Sequence, residues 1–321
     1  MNILLFAVNR STFVVRDVKI IRTKFNVTFC KSNEHSLIDI LNLIKSHDVI
    51  FFWFASLRFF IPALIARIYR KKIITVAGGF DVAKVEAGSM GSKWKSLIVK
   101  SILYFSDKVL AVSYSNQNEI VRNCNMNVSK IEMVYHGFEE IEQINLNKKK
   151  DIILTIGLID ELSFTRKGID RFIRLAEIMP EIEFHLIGTV ALNNISINIP
   201  NNVVVHGHLN FMEAKFIELL ESAKIYIQFS KHESFGCSVA EAMQFGCIPI
   251  VSDGYSLPEV VGNCGLIINN FENFENIATS VREILKGYNY NQSIECMDRV
   301  KKIFSFEKRT KYLLKIIENL I

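Results

Sequence analysis

The sequence predicts an α/β protein made of two doubly wound domains, each with a parallel sheet covered on both faces. Three observations predict it. Short apolar runs rich in Val, Ile and Phe alternate with helix-length segments almost throughout. The alternation halts at a polar, lysine-rich stretch, NLNKKK (145–150), and then restarts. The chain has 321 residues, 50% hydrophobic and 22% charged, enough to bury two cores.

Six strands are expected before the polar stretch: ILLFAV (3–8), FNVTFC (25–30), DVIFFWF (48–54), KIITVA (72–77), KVLAVS (108–113) and IEMVYH (131–136). Six more follow it: DIILTIG (151–157), EFHLIG (183–188), NVVVHG (202–207), IYIQFS (225–230), IPIVSD (248–253) and GLIIN (265–269). Residues 145–150 read as the hinge. No repeat of 20–50 residues intervenes. The most apolar stretch, IFFWFASLRFFIPALIA (50–66), is broken by Arg58 and Pro62 and is short for a spanning helix, so it reads as a buried strand followed by a helix.

The opening run NILLFAV is followed by Arg10 with no small-residue cleavage site, so no secretory leader is expected. Six cysteines, at 30, 124, 237, 247, 264 and 296, show neither C-x-x-C pairing nor metal-ligand spacing. Reduced thiols and a cytoplasmic location follow as expectations. The net charge of +5 carries no long basic run. That argues against nucleic acid and is compatible with an anionic ligand or lipid.

In doubly wound sheets, ligands bind outside the carboxyl ends of strands. HESFGCSVAEAMQFGCIPIVSD (232–253) lies in such a place, after strand 225–230. A helix is expected over 238–245, opened by the amides around Gly236 to Ser238 and stopped by Gly246. A helix N-terminus suits phosphate. Carboxylates beside phosphate repel it, so Glu233 and Glu241 are expected to address hydroxyls. A sugar-rich ligand carrying a diphosphate meets all these demands. Taken singly, either glutamate also reads as an ordinary loop or helix-start carboxylate.

The whole run, E-S-F-G-C-S-V-A-E-A-M-Q-F-G-C-I-P-I-V-S-D continued by L-P-E-V-V-G and G-L-I-I, resembles the donor-site signature of family 4 glycosyltransferases. These are retaining enzymes of the GT-B fold, two Rossmann-like domains facing across a cleft, and they use nucleotide sugars. The resemblance implies that Glu233 contacts donor-sugar hydroxyls and Glu241 holds the ribose. It sets the Ser234, Phe235, Gly236, Cys237, Ser238 segment against sugar and phosphate. It implies domains at 1–148 (acceptor side) and 149–304 (donor side), with a closing helix, 305–321, returning to the first.

ILTIGLIDELSFTRKGIDRFIRLA (153–176) adds a strand, a glycine turn at Gly157 and a helix preceded by Arg166-Lys167-Gly168. Two cations beside a turn can neutralise a diphosphate leaving group without a metal; an ordinary exposed basic pair would look the same. The family carries Gly-Arg after this strand, where Leu158 stands here. Either Arg166 takes that duty or the charge stabilisation is weaker. Gly207, in H-G-H-L (206–209), could frame the nucleotide base, with His206 and His208 read as structural or peripheral.

The first half matches the family by layout. Gly78-Gly79 end a strand with Asp81 next, and glycine permits close approach of a ligand. Asp81 reads either as a catalytic acceptor-side carboxylate or as a helix N-cap. His136 of HGFEE stands where the family has Asn. Arg10 and Ser11 follow the first strand on the acceptor side. Segments 56–72 and 92–108 mix apolar and basic residues, and read either as buried helices with solvated lysines or as peripheral membrane contacts.

The resemblance implies a retaining glycosyltransferase with no cofactor and no metal. It would move a hexose-type sugar from a nucleoside diphosphate sugar to a saccharide or polyprenyl-linked acceptor, in the cytoplasm or at the cytoplasmic membrane face. Two rival readings are a GT-B protein that binds nucleotide sugars without turnover and, with no feature of its own in the sequence, a phosphorylase on the same fold.

Overall fold

The computed structural model describes residues 1–321 except 32–34, 87, 192–197, 212 and 321. The chain divides into two units, Met1–Gly137 with Phe306–Ile321, and Phe138–Ser305. Residues 145–150, read from the sequence as a hinge, lie inside the second unit.

The first unit contains β1 (Asn2–Ala7), α1 (Thr12–Arg22), β2 (Asn26–Lys31), α2 (Leu37–Ser46), β3 (Val49–Trp53), α3 (Phe60–Ile68), β4 (Lys72–Val76), α4 (Lys93–Phe105), β5 (Lys108–Ala111), α5 (Tyr114–Cys124) and β6 (Ile131–Met133). The six strands form one sheet in the order β2-β1-β3-β4-β5-β6, and every pair is parallel. β3 is buried along its whole length, as a strand covered on both faces must be. Leu4, Phe6, Ile50 and Phe52 of the sheet share a core with Ile44 of α2, Ala63 and Ala66 of α3, and Val99 and Ile102 of α4.

The second unit contains β7 (Lys150–Ile156), β8 (Ile159–Asp160), α6 (Ser163–Arg166), α7 (Ile169–Ile178), β9 (Glu183–Ile187), β10 (Val190–Ala191), β11 (Val203–Val205), α8 (Ala214–Ser222), β12 (Ala223–Gln228), α9 (Cys237–Gln244), β13 (Ile248–Ser252), α10 (Leu257–Val261), β14 (Leu266–Ile268), α11 (Phe274–Lys286) and α12 (Tyr290–Ile303). Its main sheet runs β11-β9-β7-β12-β13-β14, again all parallel. The chain closes with α13 (Phe306–Glu318), which belongs to the first unit. There Arg309 makes a buried bidentate pair with Asp17 of α1 and donates to the carbonyls of Val134 and Tyr135.

All twelve expected strands are present. β8 and β10, which pair only with each other, were not expected, because two residues show no periodicity. The order of strands reverses between β1 and β3 in the first sheet and between β7 and β12 in the second. The carboxyl ends of those strands are where a ligand is anticipated. All six cysteines are free thiols, and among the described residues no helix is long and apolar enough to cross a membrane.

Candidate functional site

At the switch point of the second unit, β12 and the segment just after it carry a file of polar side chains at every second residue: Tyr226, Gln228 and Ser230. Alternation in a strand puts them on one face. Each donates to the next. The Tyr226 hydroxyl donates to Gln228 Oε1 at 2.8 Å, Gln228 Nε2 to Ser230 Oγ at 2.6 Å, and Ser230 Oγ to Glu233 Oε1 at 3.0 Å. Full burial pushes the Tyr226 hydroxyl pKa up and keeps it a donor. Buried polar groups require such partners. The sequence reading took this strand as apolar and missed the file.

The same Glu233 oxygen receives Lys167 Nζ at 2.5 Å. Burial alone would raise the Glu233 pKa. Lys167, Ser230 and Arg166 outweigh it, and the carboxyl is held below its usual value. The side chains keep 13% (Glu233) and 22% (Lys167) of their surface, so the pair stays within reach of a ligand.

Lys167 is delivered by a tight backbone joint. Gly168 has φ +72°, and a Cβ there would lie 2.2 Å from the Phe229 carbonyl oxygen, so only glycine fits. The Lys231 amide donates to the Arg166 carbonyl at 2.7 Å, and the Ser230 Oγ that serves Glu233 lies 3.3 Å from the Lys167 carbonyl. Arg166 ends α6, and its guanidinium donates to Ser163 Oγ.

Gly236, at φ +95°, caps α9, and a Cβ there would meet Leu257 at 2.8 Å. α9 opens at Cys237, so the positive end of its dipole lies at the 234–236 loop. Ser234 is buried, and Phe235 is turned into the core against Phe138 and Phe304, so this segment offers a ligand mainly its backbone. Ser256 Oγ donates to the Glu233 carbonyl and fixes the loop from α10. Glu241 sits one turn into α9, buried. The helix ends at Gly246, φ +75°, with Cys247 N to Ala242 O and Gly246 N to Met243 O, the paired bonds of a glycine stop.

Beside this centre, three adjacent strands end in glycine. A Cβ on Gly188 would lie 1.8 Å from the Gly157 carbonyl oxygen, and the Gly188 amide donates to the Gly207 carbonyl at 2.7 Å. Gly157 and Gly207 were expected here; Gly188 was read only as a strand end. Leu158, which follows Gly157, is exposed. His206 joins a chain with His185 and Glu183. Burial, then His185, depress its pKa, consistent with a structural histidine. Thus Gly157, Arg166, Lys167, Gly207, Glu233, Ser234, Phe235, Gly236, Cys237, Ser238 and Glu241 gather at the carboxyl edge of one sheet. Among the described residues no group of three His, Cys, Asp or Glu side chains could hold a metal ion.

The remaining candidates belong to the first unit. Asp81 caps no helix. Its carboxylate oxygens accept the amides of Ala55 at 2.9 Å and Gly79 at 2.9 Å, tying the turns after β3 and β4 together. Burial raises its pKa to about 6, against the pull of those bonds. Gly78 packs where a Cβ would touch Val112 and Trp53. His136 is buried, stacked parallel on Trp53 with Phe13 beside it. Burial, then Arg309 and Arg16, drive its pKa well down, so it is neutral. Ser11 precedes α1 without capping it, and its buried Oγ makes no hydrogen bond; Arg10 lies over the Phe29 ring. Phe54, not anticipated, has φ +70° and lines Gly79.

Residues 138–299 match the family model described as "Glycosyl transferases group 1". The chain is 28% identical over 217 residues to an uncharacterized 41.2 kDa protein in the cps region of Klebsiella pneumoniae, covering 61% of this chain and 57% of that one. It is 27% identical over 168 residues to the O-antigen chain mannosyltransferase RfbU of Salmonella typhimurium, covering 50% and 46%. The matches thus span about half the length of these curated relatives. The structure of Anabaena Alr3699/HepE in complex with UDP-glucose superposes with a TM-score of 0.77 at 13% identity, covering 99% of this chain and 100% of that one. That likeness establishes the fold, GT-B. The family match covers half of the chain, from β7 and its glycine turn through the Glu233–Glu241 loop and helix, and the chain belongs to the glycosyl transferases group 1 family.

Proposed function

We propose that the protein is a retaining glycosyltransferase that moves a hexose-type sugar from a nucleoside diphosphate sugar to a hydroxyl of a saccharide or polyprenyl-linked glycan. The observation that carries this reading is the Lys167–Glu233 pair set beside the opening of α9. A cation, a hydroxyl-seeking carboxylate and a helix N-terminus converge there, and a sugar diphosphate needs all three. The O-antigen mannosyltransferase among the relatives and the UDP-glucose complex of HepE support the substrate class.

In this reading Glu233 grips donor-sugar hydroxyls and Glu241 the ribose. Lys167, Arg166 and the first amides of α9 stabilise the charge that develops on the departing diphosphate, without calling on a metal ion. A donor of this kind is typically worth 10²–10³ in kcat. Gly207, where a Cβ would meet nothing within 4 Å, leaves room for the nucleotide against bare backbone, while Gly157 and Gly188 let the neighbouring strand ends pack closely. In this reading Asp81 is the acceptor-side carboxylate, and Gly78, Gly79, Arg10, Ser11 and His136 are further acceptor-side residues. Retention of configuration rests on the family resemblance. The six free cysteines support work in the reducing cytoplasm.

The test is release of nucleoside diphosphate from a panel of UDP-, GDP- and ADP-sugars without added metal, comparing wild type with Glu233→Ala. Release from one donor, lost on substitution, is expected. Nucleotide binding without release, even with saccharide and polyprenyl acceptors supplied, would overturn the transferase reading.

A further inference from the structure

Helices α2, α3 and α4 lie side by side on one face of the first unit's sheet, with α3 in the middle. Each turns an apolar face inward. α3 buries Pro62, Ala63 and Ala66, and α4 buries Val99, Ile102 and Leu103. A surface helix ordinarily presents a polar face on the other side. Here the outer faces are apolar too. Ile61, Leu64 and Ile68 stand at helical spacing on α3, with Ile68 67% exposed. Trp94, Leu97 and Tyr104 do so on α4, at 59%, 67% and 73% exposed. Ile38 extends the surface onto α2.

The charge around this surface is predominantly positive. Residues 55–80 contain Arg58, Arg67, Arg70, Lys71 and Lys72 and no Asp or Glu. Residues 88–106 contain Lys93, Lys95 and Lys100 and again no acid. On α2 the carboxylate of Asp39 is engaged in the capping box with Ser36. Lysines stand over the exposed rings: Lys95 over Trp94 at 5.8 Å, Lys130 over Tyr104 at 5.3 Å and Lys45 over Tyr69 at 5.2 Å. Rings at the surface with ammonium groups above them suit the boundary between acyl chains and headgroups.

We propose that this face docks on an anionic phospholipid bilayer. The alternative occupant of an apolar face is a second copy of the chain. A symmetric pairing would set the cations of α3 and α4 against a second set of the same sign, with Asp39 the one carboxylate on the three helices. Like charge disfavours that contact and favours an anionic surface. The apolar side chains enter the headgroup boundary, and the lysines and arginines meet lipid phosphates. The sequence left these segments open between buried helices and membrane contacts. The structure has both, with the inner faces buried and the outer faces bare.

The experiment is flotation of the full chain with vesicles of phosphatidylcholine alone or mixed equally with phosphatidylglycerol. It needs no sugar donor, so its outcome is separate from that of the transfer assay. Wild type should float with the anionic vesicles, lose binding in high salt, and show a Trp94 fluorescence blue shift that Trp53, already buried, cannot give. W94S/L97S and K93E/K95E/K100E should each weaken binding on the order of tenfold or more. Their melting temperatures and nucleotide binding should match wild type. No flotation with anionic vesicles, or flotation that both variants leave unchanged, overturns the proposal. So does a dimer in light scattering that W94S/L97S dissolves, since it would assign the face to a second copy.

Discussion

Lys167 Nζ and Glu233 Oε1 meet at 2.5 Å, joining the turn before α7 to the loop before α9. Lys167→Met leaves the carboxylate largely buried without its cation. The expected cost is on the order of 2–3 kcal/mol, below the roughly 3–5 of a fully enclosed pair, because Glu233 retains some access to water. The Glu233 pKa is lowered in the folded protein. The pair's contribution is therefore in place above the unfolded carboxylate value, about 4.3, and is lost as pH falls through the folded one. Urea unfolding from pH 7 to pH 3 should show this acid loss in wild type and lack it in Glu233→Gln.

Gln228 links two hydroxyls through one amide. Gln228→Leu removes the acceptor of the Tyr226 hydroxyl and the donor to Ser230 Oγ in a buried setting, which should cost about 1–3 kcal/mol. Donor affinity should fall with it, because the Ser230 hydroxyl loses the bond that orients it toward Glu233. Calorimetric titration with the nucleotide sugar together with chemical unfolding checks both. A stability loss with unchanged affinity would confine Gln228 to packing.

Two glycines with nearly equal positive φ should behave differently. Gly168→Ala must strain the backbone and also displace the Phe229 carbonyl. A loss above about 3 kcal/mol is expected, with Lys167 displaced as well. Gly207→Ala meets nothing within 4 Å and should cost only the left-handed penalty, about 1 kcal/mol. Thermal melts of the two variants give the comparison directly.

Asp81 has its pKa raised to about 6 by burial. Below the unfolded value both states hold the proton, and the stability this confers is fully present. It is lost as pH rises through the folded value. From about pH 4 to pH 6 stability should decline by on the order of 2–3 kcal/mol. In Asp81→Asn, which keeps one acceptor for the Gly79 or Ala55 amide, the slope should vanish. Unfolding midpoints at half-unit pH steps would reveal it.

Strand positions were readable because buried parallel strands are continuous apolar runs, and those runs are visible without a partner. The donor-side loop was readable because its glutamates, glycines and helix lie within one short segment. What escaped depends on contacts between segments. Gly188 looks like any strand end until it is found against Gly157. Tyr226, Gln228 and Ser230 look like interruptions of an apolar strand until Glu233 arrives beside them. Asp81 reads from the sequence equally as an acceptor-side carboxylate or a helix cap, and only its bonds to the distant Ala55 and to Gly79 remove the cap. The exposed outer faces of α3 and α4 were hidden by their own composition, since apolar residues around a whole helix usually mean burial.

The file on β12 closes on itself. Tyr226 is also hydrogen-bonded to Ser238 in the first turn of α9, so the path from Ser238 through Tyr226, Gln228 and Ser230 to Glu233 returns along the backbone of 234–237. A closed circuit of this kind acts as a latch rather than a hinge. The carboxylate and the helix opening cannot move apart singly. A ligand that draws Glu233 away must loosen the circuit as a whole, so grip on the sugar and grip on the phosphate should be gained or lost together.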